Sequence, residues 1–216
     1  MAAEQAVNVS PERFESGTAL ALKQLLRNRA AALSAAFLLL LCIFAAFAPF
    51  LAPYEPATIA LSDKLLPPSS QHWMGTDYFG RDVFSRLIFG ARVSLFVGLS
   101  VVAFTLVFGV PIGLMAGFSG GRVDNLLMRL MDALLTFPPL LLGIAVVGLL
   151  GADIETVTIA LGVMQVPILA RIVRGSTMSV RQEPYIMAAR AQGASPRRIV
   201  AKHVLHNILS PLVVQI

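Results

Sequence analysis

The sequence predicts an all-α protein, a bundle of membrane-crossing helices with four complete spans and the start of a fifth. Three observations predict it. Hydrophobic residues make up 56% of the 216 residues and charged residues 13%, against about half and about a quarter in soluble domains. Mean hydropathy is +0.76, and so few charges cannot screen that much apolar surface from water. The charges are also segregated: 30–54, 93–121, 133–152 and 156–170 hold no Asp, Glu, Lys or Arg, and a helix of roughly 20 residues crosses the hydrocarbon core. A soluble enzyme, a disordered tail and a secreted disulfide scaffold are excluded. Cys42 is the single cysteine and has no intrachain partner.

The first span is 30–53, behind an N-terminal segment, 1–29. Arg27, Arg29 and the run Ala46-Phe47-Ala48 imitate a secretory leader. The apolar run exceeds the usual leader core, and Pro49 stands where cleavage needs a flexible bond, so the reading is an uncleaved span. Orientation follows from Lys and Arg placement. With the N-terminus in the cytoplasm, the inner segments hold Arg13, Lys23, Arg27, Arg29, Arg122, Arg129, Arg171, Arg174, Arg181, Arg190, Arg197, Arg198 and Lys202. The outer segment then holds only Lys64, Arg81, Arg86 and Arg92.

That outer segment, 54–92, opens with Pro56, Pro67 and Pro68 and continues into Gly75-Thr76-Asp77-Tyr78-Phe79-Gly80-Arg81-Asp82-Val83-Phe84-Ser85-Arg86. From Asp82 onward, Val83, Phe84, Leu87, Ile88 and Ala91 fall on one helical stripe. The expectation is an amphipathic helix lying at the membrane face, with Asp82 and Arg86 paired at i, i+4.

The second span carries Gly109, Gly113 and Gly117 at four-residue spacing, a stripe that lets another helix approach closely. Pro138-Pro139 and Pro167 kink or break the third and fourth. The fourth charge-free run has 15 residues and must borrow Ile154, Ile172 and Val173, with Arg171 snorkelling at its edge. After it comes a basic loop, and then 207–216 begins a fifth apolar run covering about half a bilayer. The expectation is a chain that stops within a fifth span. No acid, base or histidine lies inside the four runs. Proton- and ion-driven carriers use such groups at membrane depth, so the body reads as a pathway driven from outside.

The loop at 171–206 holds seven basic residues and one acid, Glu183. Pro184 suits a first helical turn and Gly193 the left-handed corner after one ends. Ser195 suits a cap and Pro196 a new first turn. The loop therefore reads as helix, glycine corner, helix. Helices this short need a surface to lie against.

At this point the residues carry a resemblance. The run Tyr185-Ile186-Met187-Ala188-Ala189-Arg190-Ala191-Gln192-Gly193-Ala194-Ser195-Pro196 resembles the Glu-Ala-Ala…Gly loop of ABC importer permeases. The 75–86 segment resembles the outer motif of the second (C-type) permease subunit of dipeptide, oligopeptide and nickel importers. Met187 stands where that loop usually has Glu, and His206 where it usually has Pro.

The resemblance implies a type I permease fold, with a permease domain at 93–216 incomplete at its C-terminus and a cytoplasmic coupling loop at 174–206. Tyr185, Ala188, Ala189, Gly193, Ala194, Ser195, Pro196 and Arg197 would meet an ATPase subunit. Gly75, Thr76, Asp77, Gly80, Arg81, Asp82, Ser85, Arg86, Gly90 and Arg92 would form the external motif. The implied partners are a sister permease, one or two cytoplasmic ATPase subunits that hold ATP and Mg, an extracytoplasmic solute-binding protein, and lipid. The implied location is the bacterial inner membrane, and the implied cargo a dipeptide or oligopeptide. A nickel importer and a truncated, non-transporting scaffold are the alternatives.

Other classes fit less well. There is no Gly-x-x-x-x-Gly-Lys phosphate cradle, so no cofactor is expected on this chain. An intramembrane enzyme needs an activated nucleophile, and Ser34, Ser94, Ser100 and Thr105 have no His or Asp beside them within a span. His203 and His206 lack a third metal ligand. The basic residues flank spans without stacking aromatics, unlike a nucleic-acid binder.

Overall fold

The computed structural model describes residues 27–215. The N-terminal segment expected in the cytoplasm falls almost wholly outside them. Among the described residues there are helices and no strand, so the protein is all-α. The chain divides into two compact units, Met1–Arg92 and Val93–Ile216.

In the first unit, α1 (Arg29–Ala46) is capped by Asn28, whose Oδ1 accepts from the Ala30 and Ala31 N–H groups at 3.1 and 3.4 Å. The helix stops short of the expected 30–53 because Pro49 has no N–H to offer the preceding turn. After a turn at Phe47 comes a single helical turn, α2 (Ala48–Leu51), with Pro49 in its first positions. The chain then runs irregularly, with one 3-10 turn at Leu61–Asp63, to Asp82.

The next helix, α3, runs unbroken from Val83 to Ser119 over 37 residues. The expected amphipathic helix and second span are therefore one helix. The arginines at 86 and 92 interrupt the hydropathy but not the hydrogen-bond ladder. Along the apolar stripe of its first turns Ile88 is 5% exposed and Leu87 58% exposed.

In the second unit, Gly120 and Gly121 adopt φ of +67° and +58° and end α3. The helices α4 (Gly121–Thr136) and α5 (Pro139–Leu150) follow, bent by 87° at the break between them. The third run, 133–152, is thus broken where Pro138-Pro139 was expected to kink or break it. Pro138 holds Phe137 extended, and the apolar helix beyond it has 12 residues. Helix α6 (Ile154–Arg181) is longer than its charge-free run, continuing ten residues past Arg171, because its arginines find partners.

Helix α7 (Pro184–Ala191) and one turn, α8 (Pro196–Ile199), follow. A π turn at Val200–Val204 leads directly into α9 (Leu205–Gln215). The second loop helix and the expected start of a fifth span are therefore one helical run. By length and composition α1, α3 and α6 suffice to cross a membrane, and the bent pair α4–α5 makes a fourth if counted as one span.

The core of the second unit lies under the basic loop. Leu169 and Val173 of α6 meet Ile186, Ile199, Val204, Ile208 and Leu212, all 4% exposed or less, with Leu106, Val110, Leu114 and Phe118 packed around them. A second cluster joins Met131, Val166 and Ala170.

Candidate functional site

Three constellations from the sequence can be placed. The first is the 75–86 segment, in the first unit. Gly75 sits at φ +72°, where an added Cβ would meet the Leu66 carbonyl at 2.4 Å. Gly80 sits at φ +73°, where one would meet the Ala60 carbonyl at 1.7 Å. Both turns exclude a side chain for conformational and steric reasons alike. Thr76 staples the preceding turn: its Oγ1 accepts from the Leu66 N–H at 2.8 Å and donates to the Asp63 carbonyl.

Asp77 closes the turn. Its Oδ1 accepts from the Phe79 and Arg81 N–H groups at 2.8 and 3.0 Å, and its Oδ2 from Arg81 Nε at 2.8 Å and from the Arg86 guanidinium. Removal from water opposes its charge, but the two backbone N–H groups and the Arg81 guanidinium outweigh that, and its carboxyl titrates at about 2.

Asp82 caps α3. Its Oδ2 accepts from the Ser85 N–H at 2.7 Å, and its Oδ1 lies 3.0 Å from His72 Nδ1. Burial of this 4% exposed residue works against its charge. The Ser85 N–H and hydroxyl and the His72 ring overcome that and hold the carboxyl below its ordinary value. Ser85, fully buried, accepts from the Tyr54 N–H at 3.2 Å, and the Tyr54 ring stacks on His72 at 4.8 Å.

The expected Asp82–Arg86 pair does not form. A carboxylate turned back to cap its own helix cannot also reach Arg86, which pairs with Asp77 instead. Gly90 and Arg92 stand apart from this network: both are exposed, and nothing lies within 4 Å of a Cβ built on Gly90. His72 and Tyr54 were not singled out in the sequence, and no local pattern marks them.

The second constellation is the glycine stripe of α3, in the second unit. A Cβ on Gly109 would lie 3.2 Å from the Leu169 side chain. On Gly113 it would lie 2.5 Å from the Ala170 carbonyl, and on Gly117 2.7 Å from both the Arg174 carbonyl and Thr177 Cβ. The stripe is the seam along which α3 approaches α6 backbone to backbone. On α6, Arg174 grips the buried Asp124 of α4, its Nη2 donating to Oδ2 at 2.6 Å while Nε donates to Oδ1. Arg171 meets Asp132 at 2.6 Å, with both side chains exposed. These partners lie 39 and 50 residues apart, beyond any local pattern.

The third is the basic loop. Gly193, at φ +80°, terminates α7: its N–H donates to the Arg190 carbonyl at 2.9 Å and the Ala194 N–H to the Ala189 carbonyl at 3.0 Å. This is a Schellman-type close. Ser195 caps the next helix through the Arg198 N–H at 3.4 Å, with Pro196 in its first turn. Ile186 is fully buried and Ile199 1% exposed. These two pin the corner to the core, and each contributes roughly 2 kcal/mol of apolar burial. Ala189 and Ala194 are half-buried against the same core. Tyr185, Met187, Ala188, Arg190, Ala191, Gly193, Pro196 and Arg197 are exposed. Among the described residues no group of three or more His, Cys, Asp or Glu comes together around a metal position.

Over residues 109–216 the chain matches the family described as binding-protein-dependent transport system inner membrane component. Over residues 16–68 it matches the N-terminal TM domain of oligopeptide transport permease C. A dipeptide transport system permease protein of Alkalihalophilus pseudofirmus is 43% identical over 195 residues, covering 90% of this chain and 64% of that protein. A glutathione transport system permease protein of Pectobacterium atrosepticum is 39% identical over 193 residues, covering 89% and 64%. A dipeptide transport system permease protein of Bacillus subtilis is 38% identical over 193 residues, covering 89% and 60%. The chain thus spans somewhat under two thirds of the length of these relatives.

Proposed function

The chain belongs to the family of binding-protein-dependent transport system inner membrane components, and on that premise we propose that it is a permease subunit of an ATP-driven importer for dipeptides or oligopeptides. The relatives' names point to short peptides as cargo. In this reading the chain lines half of a translocation path with a sister permease, and an extracytoplasmic binding protein delivers the peptide. ATP and Mg are held by one or two separate ATPase subunits.

The observation that carries the coupling role is the corner at 184–199. Ile186 and Ile199 anchor it rigidly from below, while an almost continuous upper face stays exposed. A lever needs both properties. ATPase closure would pull on that face, and α6 and the helical run from 196 to 215, which share the anchoring core, would transmit the displacement to the spans. At the glycine seam α3 and α6 pack closely, with Leu169 and Val173 of α6 held among Leu106, Val110, Leu114 and Phe118 of α3, so such a shift would carry the two helices together.

The test is copurification of the tagged chain, made in membranes with its ATPase and sister permease. Capture of the ATPase that disappears when 184–206 is deleted, while membrane insertion persists, supports the reading. Capture that survives the deletion removes it. Orientation is tested separately in a Cys42→Ser background. Ser70→Cys is expected to react with an impermeant thiol reagent from outside, and Ser195→Cys only after permeabilisation. The reverse pattern would invert the topology.

A further inference from the structure

The outer segment of the first unit encloses a cavity of about 330 Å³ lined by Tyr54, Glu55, Thr58, Asp63, Gln71 and His72, with Ala60 and Gly80 completing the wall. Ligand cavities run from roughly 300 to 1,000 Å³, so this one has room for a single small group. Its walls are held by bonds made elsewhere in the segment. Ser85 accepts from the Tyr54 N–H at 3.2 Å, and the Ala60 N–H donates to the Phe79 carbonyl at 3.2 Å. Thr76 holds the Asp63 carbonyl, and Ser69 Oγ accepts from the His72 N–H at 3.1 Å.

The charge of the lining is one-sided. Two acids line the cavity, and neither Lys nor Arg does. Among the described residues Glu55 and Asp63 form no ion pair. The cations near them in sequence are engaged with other groups: Arg81 and Arg86 pair with Asp77, and Lys64 Nζ lies 5.6 Å from the centre of the Tyr78 ring. Glu55, Asp63 and His72 do not come together around a metal position.

His72 supplies an independent observation. The residue is 9% exposed, and Tyr54 stacks on its ring at 4.8 Å. Its Nδ1 lies 3.0 Å from Asp82 Oδ1, and Asp82 does not line the cavity. In the neutral ring Nδ1–H donates to that carboxylate, which leaves Nε2 as a lone-pair acceptor. Among the described residues Nε2 has no partner. A buried acceptor needs a donor, and this ring borders the cavity from which one can come.

Two acids, an imidazole acceptor and a tyrosine ring together match a cation that carries several N–H donors. A guanidinium or a primary ammonium has that chemistry. A free amino acid or peptide fits less well, because no cation lines the cavity to meet its carboxylate.

We propose that this cavity binds a guanidinium or primary ammonium group, brought either by a basic side chain of a protein partner or by a free organic cation. The walls are set by the 75–86 segment, and the binding groups come mostly from residues outside it. The site lies wholly in the first unit, so its failure would leave the coupling role of the 184–199 corner standing.

The test titrates agmatine, which has a guanidinium, an ammonium and no carboxylate, against the full chain in phosphatidylcholine nanodiscs, read by saturation-transfer NMR. Saturable binding to the wild type is expected, with affinity at least about tenfold weaker in E55Q/D63N. T58W, which fills the cavity and keeps both acids, is expected to lose binding to the same degree. D153N/E155Q removes two exposed acids outside the cavity and is expected to match the wild type. Arginine, which adds a carboxylate to the same guanidinium, is expected to bind at least about tenfold more weakly than agmatine.

Equal affinity of E55Q/D63N and the wild type would overturn the proposal, as would a loss in D153N/E155Q, which would mean a general charge effect. Displacement of agmatine by micromolar zinc would overturn it too, by assigning the cavity to a metal. Protease resistance of the outer segment is measured on each variant, so that a loss of binding is read only on a folded cavity. The source is assigned by adding excess agmatine to the chain assembled with the proposed binding protein. Release of that protein identifies a basic side chain as the natural occupant, and retention identifies a free cation.

Discussion

In the 75–86 segment the polar side chains end on one another. Thr76, Asp77, Asp82, Ser85 and Arg86 each meet a backbone group or a charge within the same unit, and both motif glycines are closed in by carbonyls under 2.5 Å from a would-be Cβ. In the 184–199 segment the balance is reversed. Ile186 and Ile199 are buried, the glycine at 193 has open space around it, and among the described residues Arg190, Arg197 and Arg198 form no ion pair. The two runs are equally distinctive as sequence. Their difference teaches that a motif residue satisfied from within is holding a fold, whereas one left unsatisfied on a rigid support is available to a partner.

Substitutions sharpen that contrast, the largest first. Gly80→Val combines a left-handed backbone with a clash at the Ala60 carbonyl. It is expected to cost about 4 kcal/mol or more of the outer segment's stability, read as rapid proteolysis of 54–82 in otherwise intact protein. Asp82→Ala removes the cap of α3 and strands His72, for about 3 kcal/mol; a thermal melt indistinguishable from wild type would mean the cap is not holding the segment. Gly113→Ala should force α3 and α6 apart at the Ala170 carbonyl and cost about 2–3 kcal/mol, measurable by urea or dodecyl sulfate titration in micelles.

Acid provides a graded version of the same comparison. The folded-state values of Asp77 and Asp82 lie below their ordinary 3.8, with Asp77 at about 2. A depressed carboxyl contributes stability that is complete above the unfolded value and is lost as pH falls through the folded one. Protease resistance of the outer segment should therefore hold down to about pH 4 and collapse toward pH 2. Asp77→Asn should flatten that dependence.

Gly193→Val has the smallest expected effect on stability, about 1–2 kcal/mol, because only its positive φ is strained and no neighbour is struck.

The sequence made the corner legible because its signals are local. Pro184, Gly193, Ser195 and Pro196 each act on their own backbone, and the structure puts each where that action requires. The glycine stripe was legible for the same reason, as a period along one helix. What escaped depended on distance. Arg171 and Arg174 read as loop charges until Asp132 and Asp124, dozens of residues away, allow α6 to continue through them. Arg86 and Arg92 interrupted the hydropathy, so α3 read as two pieces. The Asp82–Arg86 spacing was correct for a helix, but Asp82 is the residue before the helix, where capping geometry directs its carboxylate elsewhere. The π turn at Val200–Val204 has no sequence signature, so nothing foretold that the second loop helix runs on through it into α9.

The contrast between an inward-satisfied motif and an outward-facing one is tested most directly by ATPase capture on a Gly193→Val chain coexpressed with the proposed ATPase and sister permease. Normal insertion, a melting temperature within a few degrees of wild type, and at least a tenfold loss of captured ATPase are expected. Capture equal to wild type would contradict the contrast, because the corner would then be one more internal staple rather than the face through which force enters.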